Sequence, residues 1–397
     1  VKALRFSRKP AKYVAAGLAG RVAPGKGATV GPLKLVDVDE PDLPTEEWVR
    51  LRPRLAGICG SDLATIDGHS SRYFEPIVSF PFVPGHEVVG DLPDGSRAVL
   101  IPVLSCVTRG IAPVCPACAA GRTNRCGRIA YGHLSPGLQT GYCSDTSGGW
   151  SQELVAHPSQ LLAVPDALTD EQAVMVEPTA CAVHAARAVL GGAAEAPGRV
   201  AVIGTGTLGL LTIAALRAEG SDAHLVATGK YPHQKALATA LGADQVVSPG
   251  ELGRVVRRLT GAWLLDDGSP HRGQLTDGVD VVVDCVGSEA SLTQALEVVA
   301  PGGRIVVVGM PGHTSLDLTS LWHRESSIAG CYAYTHDDFE AALALVARAD
   351  LGRLVSATYP LSRYPEAIEH AANAGARGAV KIAFDLRKKA TSQKDRR

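Results

Sequence analysis

The run Gly204-Thr205-Gly206-Thr207-Leu208-Gly209 restricts this chain more than any other feature in it. It follows the apolar stretch RVAVI and opens a helical pattern, LGLLTIAALRAEG, that leads into a second strand-like run, AHLVA. Glycine at the first place permits a tight turn, at the second it lets the backbone approach a pyrophosphate, and at the third it lets helix pack on strand. The free N–H groups of the helix start then face the anion. Strand, glycine turn, helix and strand in this order imply a dinucleotide cradle. Val- and Ile-rich runs at 200–203, 224–227, 279–285 and 304–309 alternate with helical patterns, the mark of a parallel sheet wrapped by helices.

About 20 residues past the last glycine, an NAD-preferring site carries an acid that binds the adenosine ribose. Gly229 stands there, flanked by Thr228, Lys230 and Tyr231, with His233 and Lys235 behind and no acid between Asp222 and Asp244. A hydroxyl and a cation suit a 2′-phosphate, so NADP is expected over NAD.

The first 165 or so residues read differently: glycine and proline are dense, and short apolar runs such as 48–55 and 97–103 sit between turn signals, as in an irregular β-rich domain. From Thr169 a long helix is expected, with Asp170 and Glu171 in its first turn. Surface helices are expected at 337–349 and 364–374, a last strand at 380–384 and a frayed tail at 388–397. The Ala/Gly-rich run 15–31 reads as an exposed insertion. Basic and acidic residues nearly cancel, 39 against 40, which gives no footprint for nucleic acid. The uncharged stretch 200–216 is broken by three glycines into strand, turn and helix, so no membrane span is expected, and without a visible secretory signal the cytoplasm is the expected compartment.

Nine cysteines in so long a chain argue against a disulfide scaffold. Cys115, Cys118 and Cys126 follow C-x2-C-x7-C, and Cys106 lies eight intervening residues upstream. Four thiolates in one turn-rich lobe, at about 102–130, suit a closed tetrahedral structural zinc. A second constellation joins Cys59 and Asp62 of GICGSD, His86 and Glu87 of PGHE, and Glu177 of VEP. Thiolate, imidazole and carboxylate from three segments supply three ligands and leave a fourth position for water or a substrate oxygen, as a Lewis-acid zinc requires.

GICGSD, FPFVPGHEVVG, the four-cysteine lobe, VEPTACAVHA and GTGTLG, in this order over nearly the whole chain, resemble the zinc-dependent medium-chain dehydrogenase/reductase superfamily of alcohol and polyol dehydrogenases. The resemblance implies an α/β protein: a GroES-like β-rich catalytic domain (1–172) completed by 334–387, and an inserted Rossmann domain (173–333), with the active site between them. It implies Cys59, His86 and Glu177 as catalytic-zinc ligands, with Cys181 as a rival to Glu177, Glu87 as a neighbour that exchanges with bound water, and Asp62 as the partner orienting His86. Ser61 matches the position whose hydroxyl passes a proton between substrate oxygen and solvent. The implied reaction is hydride transfer between NADP(H) and an alcohol, aldehyde or ketone, in a homodimer or homotetramer. A zinc-free reductase of activated double bonds and a non-catalytic NADP-binding protein are the competing classes; retention of Cys59, His86 and Glu177 argues against both.

Three departures qualify the match. Six extra residues separate Cys106 from Cys115, which makes Cys106 the weakest lobe candidate. Ala64 stands where several relatives carry a relay histidine, with His69 or water as a substitute. The stretch 9–31 exceeds the family norm and could reshape the substrate entrance or subunit contacts. Trp150, Tyr73, Phe74 and Trp322 are candidates for the pocket lining.

Overall fold

The four Val- and Ile-rich runs of the second half fall in strands of one six-stranded sheet in the computed structural model, which describes residues 1–191, 196–265 and 273–387. The expected tail at 388–397 lies outside the described residues. Two compact units result, Val1–Glu177 with Tyr334–Arg397, and Pro178–Ala333.

The main sheet of the second unit is made of Arg199–Ile203, His224–Thr228, Gln245–Val247, Val279–Asp284, Val299–Val307 and Ser327–Gly330. Numbered one to six along the chain, they lie in the order 3-2-1-4-5-6, and every neighbouring pair is parallel. This is the Rossmann order, whose ligand crevice opens where the order reverses, between strands one and four. Helices cover both faces of such a sheet, so its central strands are apolar throughout rather than alternating. Val200, Ala201 and Val202 are accordingly all fully buried. The uncharged 200–216 stretch is strand, turn and the helix Thr207–Ala218, and among the described residues no helix is long and apolar enough to cross a membrane.

The first unit is built on a sheet in which Val49–Gly57 pairs antiparallel with Val88–Asp91 on one side and with Lys381–Asp385 on the other. Ala383 lies opposite Gly57, so the carboxy-terminal strand runs directly beside the chain that leads into Cys59. Trp150 fills the core here: its ring packs edge-on against Phe384 and its Nε1 donates to the Gly57 carbonyl at 3.1 Å. It is therefore a fully buried core residue and not part of a pocket lining.

Two expectations are modified. The single helix from Thr169 is two, Asp170–Ala173 and Val176–Leu190, because Pro178 has no N–H for the carbonyl four residues before it. The insertion is not merely exposed: it forms the helices Pro10–Val22 and Gly27–Val30, with Ala16, Gly20, Gly27 and Ala28 buried. The Asp67 carboxylate holds it down by accepting from the N–H groups of Gly25 at 2.7 Å and Gly27 at 2.9 Å. A Cβ on Gly20 would lie 2.8 Å from the Asp67 Cβ, so glycine is what permits this approach.

Candidate metal centres and nucleotide turn

Cys59 is the N-cap of the short helix Gly60–Ile66, and the Asp62 carboxylate accepts from the Cys59 N–H at 3.0 Å in the reciprocal half of a capping box. This fixes both side chains at the end of the Val49–Gly57 strand. His86 and Glu87 arrive on the PGHE segment, where Gly85 adopts φ +97°. A Cβ on Gly57 would run into the Glu87 carboxylate, so that glycine makes room for the acid. The ligand atoms of Cys59, His86 and Glu87 all lie within 4.8 Å of one another. Asp62 Oδ1 lies 3.6 Å from His86 Nδ1, which leaves the other ring nitrogen for the cluster.

The tight group therefore contains Glu87. Glu177 is close enough to raise the pKa of His86, and its carboxylate accepts a hydrogen bond from the buried Tyr334 hydroxyl at 2.9 Å. Glu87 is ion-paired with Lys381, a lysine only 3 % exposed whose Nζ also donates to the Ile58 carbonyl at 3.2 Å. Lys381 and Tyr334 are absent from the sequence reading. A lone lysine in the apolar strand KIAFD was the available signal for the first, and Tyr334 carried none. Cys181 does not join either cysteine-containing cluster among the described residues.

Three carboxylates, an imidazole and a thiol with only the Lys381 ammonium among them make a buried cluster rich in acid, and the ionisation of its members shows it. Burial, reinforced by Glu87 and opposed by His86, pushes the Glu177 carboxyl up to about 7. For His86 burial acts downward, but the charges of Asp62, Cys59 and Glu177 outweigh it and hold the imidazole well above its ordinary value. A bound cation would balance this excess of acid, and sulfur, nitrogen and oxygen donors suit zinc.

Both shifts have the same consequence for the metal-free protein. A group whose folded pKa is raised contributes stability in full below its unfolded pKa and loses it as pH rises through the folded one. For Glu177 that window runs from 4.5 to about 7. Glu177→Gln removes this dependence, so in chelator the parent should fall behind the variant by about 2–3 kcal/mol between pH 5 and pH 8. Denaturant midpoints at the two pH values measure it; a constant difference would contradict it.

In the lobe, the sulfurs of Cys106, Cys115, Cys118 and Cys126 all lie within 4.8 Å of one another, so the extra residues do not displace Cys106. Cys106 and Cys126 are 3.6 Å apart and Cys115 and Cys126 4.0 Å. Zn–S bonds of ~2.3 Å at tetrahedral angles require sulfurs ~3.8 Å apart, so the donors fit zinc. Backbone N–H groups of Cys118 and Gly127 lower the Cys115 thiol to about 6, while burial raises Cys126. The extra segment holds Arg109, fully buried, whose guanidinium donates to the carbonyls of Tyr131, Leu134, Ser135 and Gly137 at 2.7–3.3 Å. The insertion thus carries the side chain that gathers the returning loop of the lobe.

At the nucleotide turn Gly204 has φ +90°, and its N–H donates to Thr228 Oγ1 at 3.0 Å, tying the ends of the first two strands together. A Cβ on Gly209 would strike the Gly204 carbonyl. Nothing lies within 4 Å of a Cβ built on Gly206, as expected where a ligand approaches. Thr207 and Leu208 begin the helix, whose N-cap is Gly206. Thr205 Oγ1 is buried without a hydrogen-bond partner. A Cβ on Gly229 would lie 2.6 Å from that oxygen, so any side chain in the place of the ribose-binding acid would have to displace the Thr205 hydroxyl. Lys230 is exposed and Tyr231 caps the next helix, Pro232–Ala240, while Lys235 is engaged with Ser248 Oγ at 2.8 Å.

Two family models match the chain: the alcohol dehydrogenase GroES-like domain over residues 45–166 and the zinc-binding dehydrogenase over 207–348. L-Idonate 5-dehydrogenase of Vitis vinifera is 29% identical over 355 residues, covering 85% of this chain and 88% of that protein. Sorbitol dehydrogenase of Bacillus subtilis is 26% identical over 357 residues, covering 85% and 90%. Among solved structures, the alcohol dehydrogenase TADH from Thermus sp. superposes with a TM-score of 0.68 at 26% identity, covering 97% of this chain and 99% of that one. The 2R,3R-butanediol dehydrogenase of Bacillus subtilis gives 0.69 at 23% identity, covering 97% and 99%.

Proposed function

Since the chain belongs to the zinc-dependent medium-chain dehydrogenase superfamily, and so to the oxidoreductases acting on CH–OH groups, we propose that it is a zinc- and NADP-dependent dehydrogenase. It would interconvert a secondary hydroxyl of a polyol or related alcohol with the corresponding carbonyl. The observation that carries this reading is the buried convergence of Cys59, His86 and Glu87, with Glu177 beside them, at the end of the strand that the carboxy-terminal segment flanks. The polyol and sugar-acid dehydrogenases among the relatives support the substrate class. Nine cysteines that form no disulfide suit a reducing compartment such as the cytoplasm.

Zinc would be held by Cys59 and His86 with a carboxylate from Glu177 or Glu87, and a structural zinc by the four lobe cysteines. The chemistry such an ion supplies is Lewis-acid polarisation of a substrate oxygen, and that of the nicotinamide is hydride transfer. Asp62 orients His86. Lys381 neutralises Glu87, so that this acid need not hold the cation permanently. Ser61, two residues past Cys59, takes the proton from the alcohol or returns it to the carbonyl oxygen. The Gly204–Gly209 turn receives the pyrophosphate on backbone N–H groups.

The cofactor reading rests on Gly229, where no acid stands, and on Lys230, which is exposed and makes no ion pair among the described residues. The Michaelis constant for NADP+ is expected to be at least ~10-fold below that for NAD+, with Lys230→Ala removing most of the difference. Zinc analysis with turnover on a panel of polyols, simple alcohols, aldehydes and enones tests the whole reading. Activity on enones alone, or equal activity in zinc-free protein, would reject it.

A further inference from the structure

A surface helix of a globular protein ordinarily turns its large apolar residues inward and its charged ones to water. The insertion helix Pro10–Val22 does the reverse. Its inward side is made of small residues, Ala16 and Gly20, both buried, with Gly17 half-buried beside them. A Cβ on Gly20 would run into the Asp67 side chain and one on Gly17 would lie 3.5 Å from the Gly68 carbonyl, so the helix rests on its support nearly backbone to backbone. Its outward side is Ala11, Val14, Ala15, Leu18 and Val22, spaced as one face of a helix. Val14, Leu18 and Val22 are 63 %, 61 % and 88 % exposed. At about 100° per residue this ridge fills roughly 100° of arc, with Arg21 at one border and Lys12 beyond the other.

The charge around the ridge is of one sign. Residues 1–36 contain eight basic side chains and no acid, and all eight are exposed. Two acids elsewhere in the chain contact the insertion, and both are engaged: Asp67 with the N–H groups of Gly25 and Gly27, and Glu369 with Lys26 at 3.4 Å. Arg8, Lys9, Lys12 and Arg21 make no ion pair among the described residues.

We propose that this face of the insertion rests on an anionic lipid bilayer, with Val14, Leu18 and Val22 entering the headgroup boundary while Arg8, Lys9, Lys12 and Arg21 meet lipid phosphates. An interfacial helix needs both features together, an apolar side that gains by leaving water and flanking cations whose long stems carry the charge to the headgroups. The contact is with the surface only, since among the described residues no helix is long and apolar enough to cross a membrane. A second copy suits the face poorly, because a two-fold contact would press the same cations against one another. Nucleic acid would meet the cations and leave the ridge in water. The Asp67 hydrogen bonds hold the insertion in place before any surface arrives, so association carries little of the ordering cost paid by a segment that folds on lipid.

Flotation with extruded vesicles tests this on the intact, zinc-loaded protein, and the readout does not depend on the dehydrogenase reading. The parent should rise with phosphatidylcholine vesicles that contain phosphatidylglycerol and stay behind with phosphatidylcholine alone. Binding should weaken at least ~10-fold on going from low salt to ~0.5 M. Leu18→Glu combined with Val22→Glu, and Lys12→Glu combined with Arg21→Glu, should each lower the partition coefficient at least ~10-fold, with the melting temperature of the parent. Leu18→Trp should shift its emission to the blue with the anionic vesicles, and it decides the matter if the paired variants fold poorly. No flotation with anionic vesicles, equal flotation with neutral ones, or flotation unchanged in folded paired variants would overturn the proposal. So would a parent oligomer that Leu18→Glu with Val22→Glu separates in the absence of lipid, which would give the face to a second copy of the chain.

Discussion

Cys59→Ser should reduce alcohol oxidation at least ~1,000-fold, because a Lewis-acid ion contributes several kcal/mol to stabilising charge at the substrate oxygen. The variant should still fold. Cys59 sits at the N-cap of Gly60–Ile66, and serine is among the best residues for that place, so its hydroxyl can take over the capping bond while providing a poor zinc ligand. Zinc per chain is expected to fall from two to one, with the lobe ion retained, and the melting temperature to stay near that of the parent. Metal analysis alongside steady-state rates decides it. Undiminished turnover in a variant holding a single zinc would contradict a catalytic ion at Cys59.

The complementary substitution acts on the fold. Cys118→Ser leaves three sulfurs around the lobe site and should release its zinc, and because binding there is coupled to folding the cost is expected to be ~4 kcal/mol or more. For domains of this size that corresponds to a melting temperature lower by about 10 °C. The remaining ion should stay at Cys59, and the rate per correctly folded molecule should be near that of the parent at low temperature. Calorimetry with zinc titration is the measurement, and a variant that melts with the parent would show that the lobe needs no metal. The two substitutions thus separate a site that acts on substrate from one that holds a loop.

Much of this was legible in the sequence where the information is local. The glycine turn and the Val-rich runs of the second unit announce themselves because a buried parallel strand must be apolar throughout and the phosphate turn excludes side chains at fixed places. Cys59, His86 and the lobe cysteines could be picked out because metal chemistry restricts the residue types. Lys381, Tyr334 and Arg109 could not be assigned, because their roles depend on contacts across 294, 157 and up to 28 residues of sequence that no local pattern encodes. The insertion shows the same limit: its Ala/Gly content marked it out, but only the Asp67 clamp reveals that small residues serve close packing there. Trp150 erred in the other direction, since an aromatic near a site motif suits a pocket wall and a core equally well until its neighbours are known.

The hydrogen bond between Glu177 and Tyr334 joins the last residue before the nucleotide-binding unit to the first residue after it. The excursion of the chain therefore leaves and re-enters through one doorway, latched by a carboxylate whose charge also acts on His86. An inserted module entered in this way can be exchanged or reshaped through evolution without redrawing its host, provided the latch survives. On the proposed reading, the doorway and the chemistry share one carboxylate.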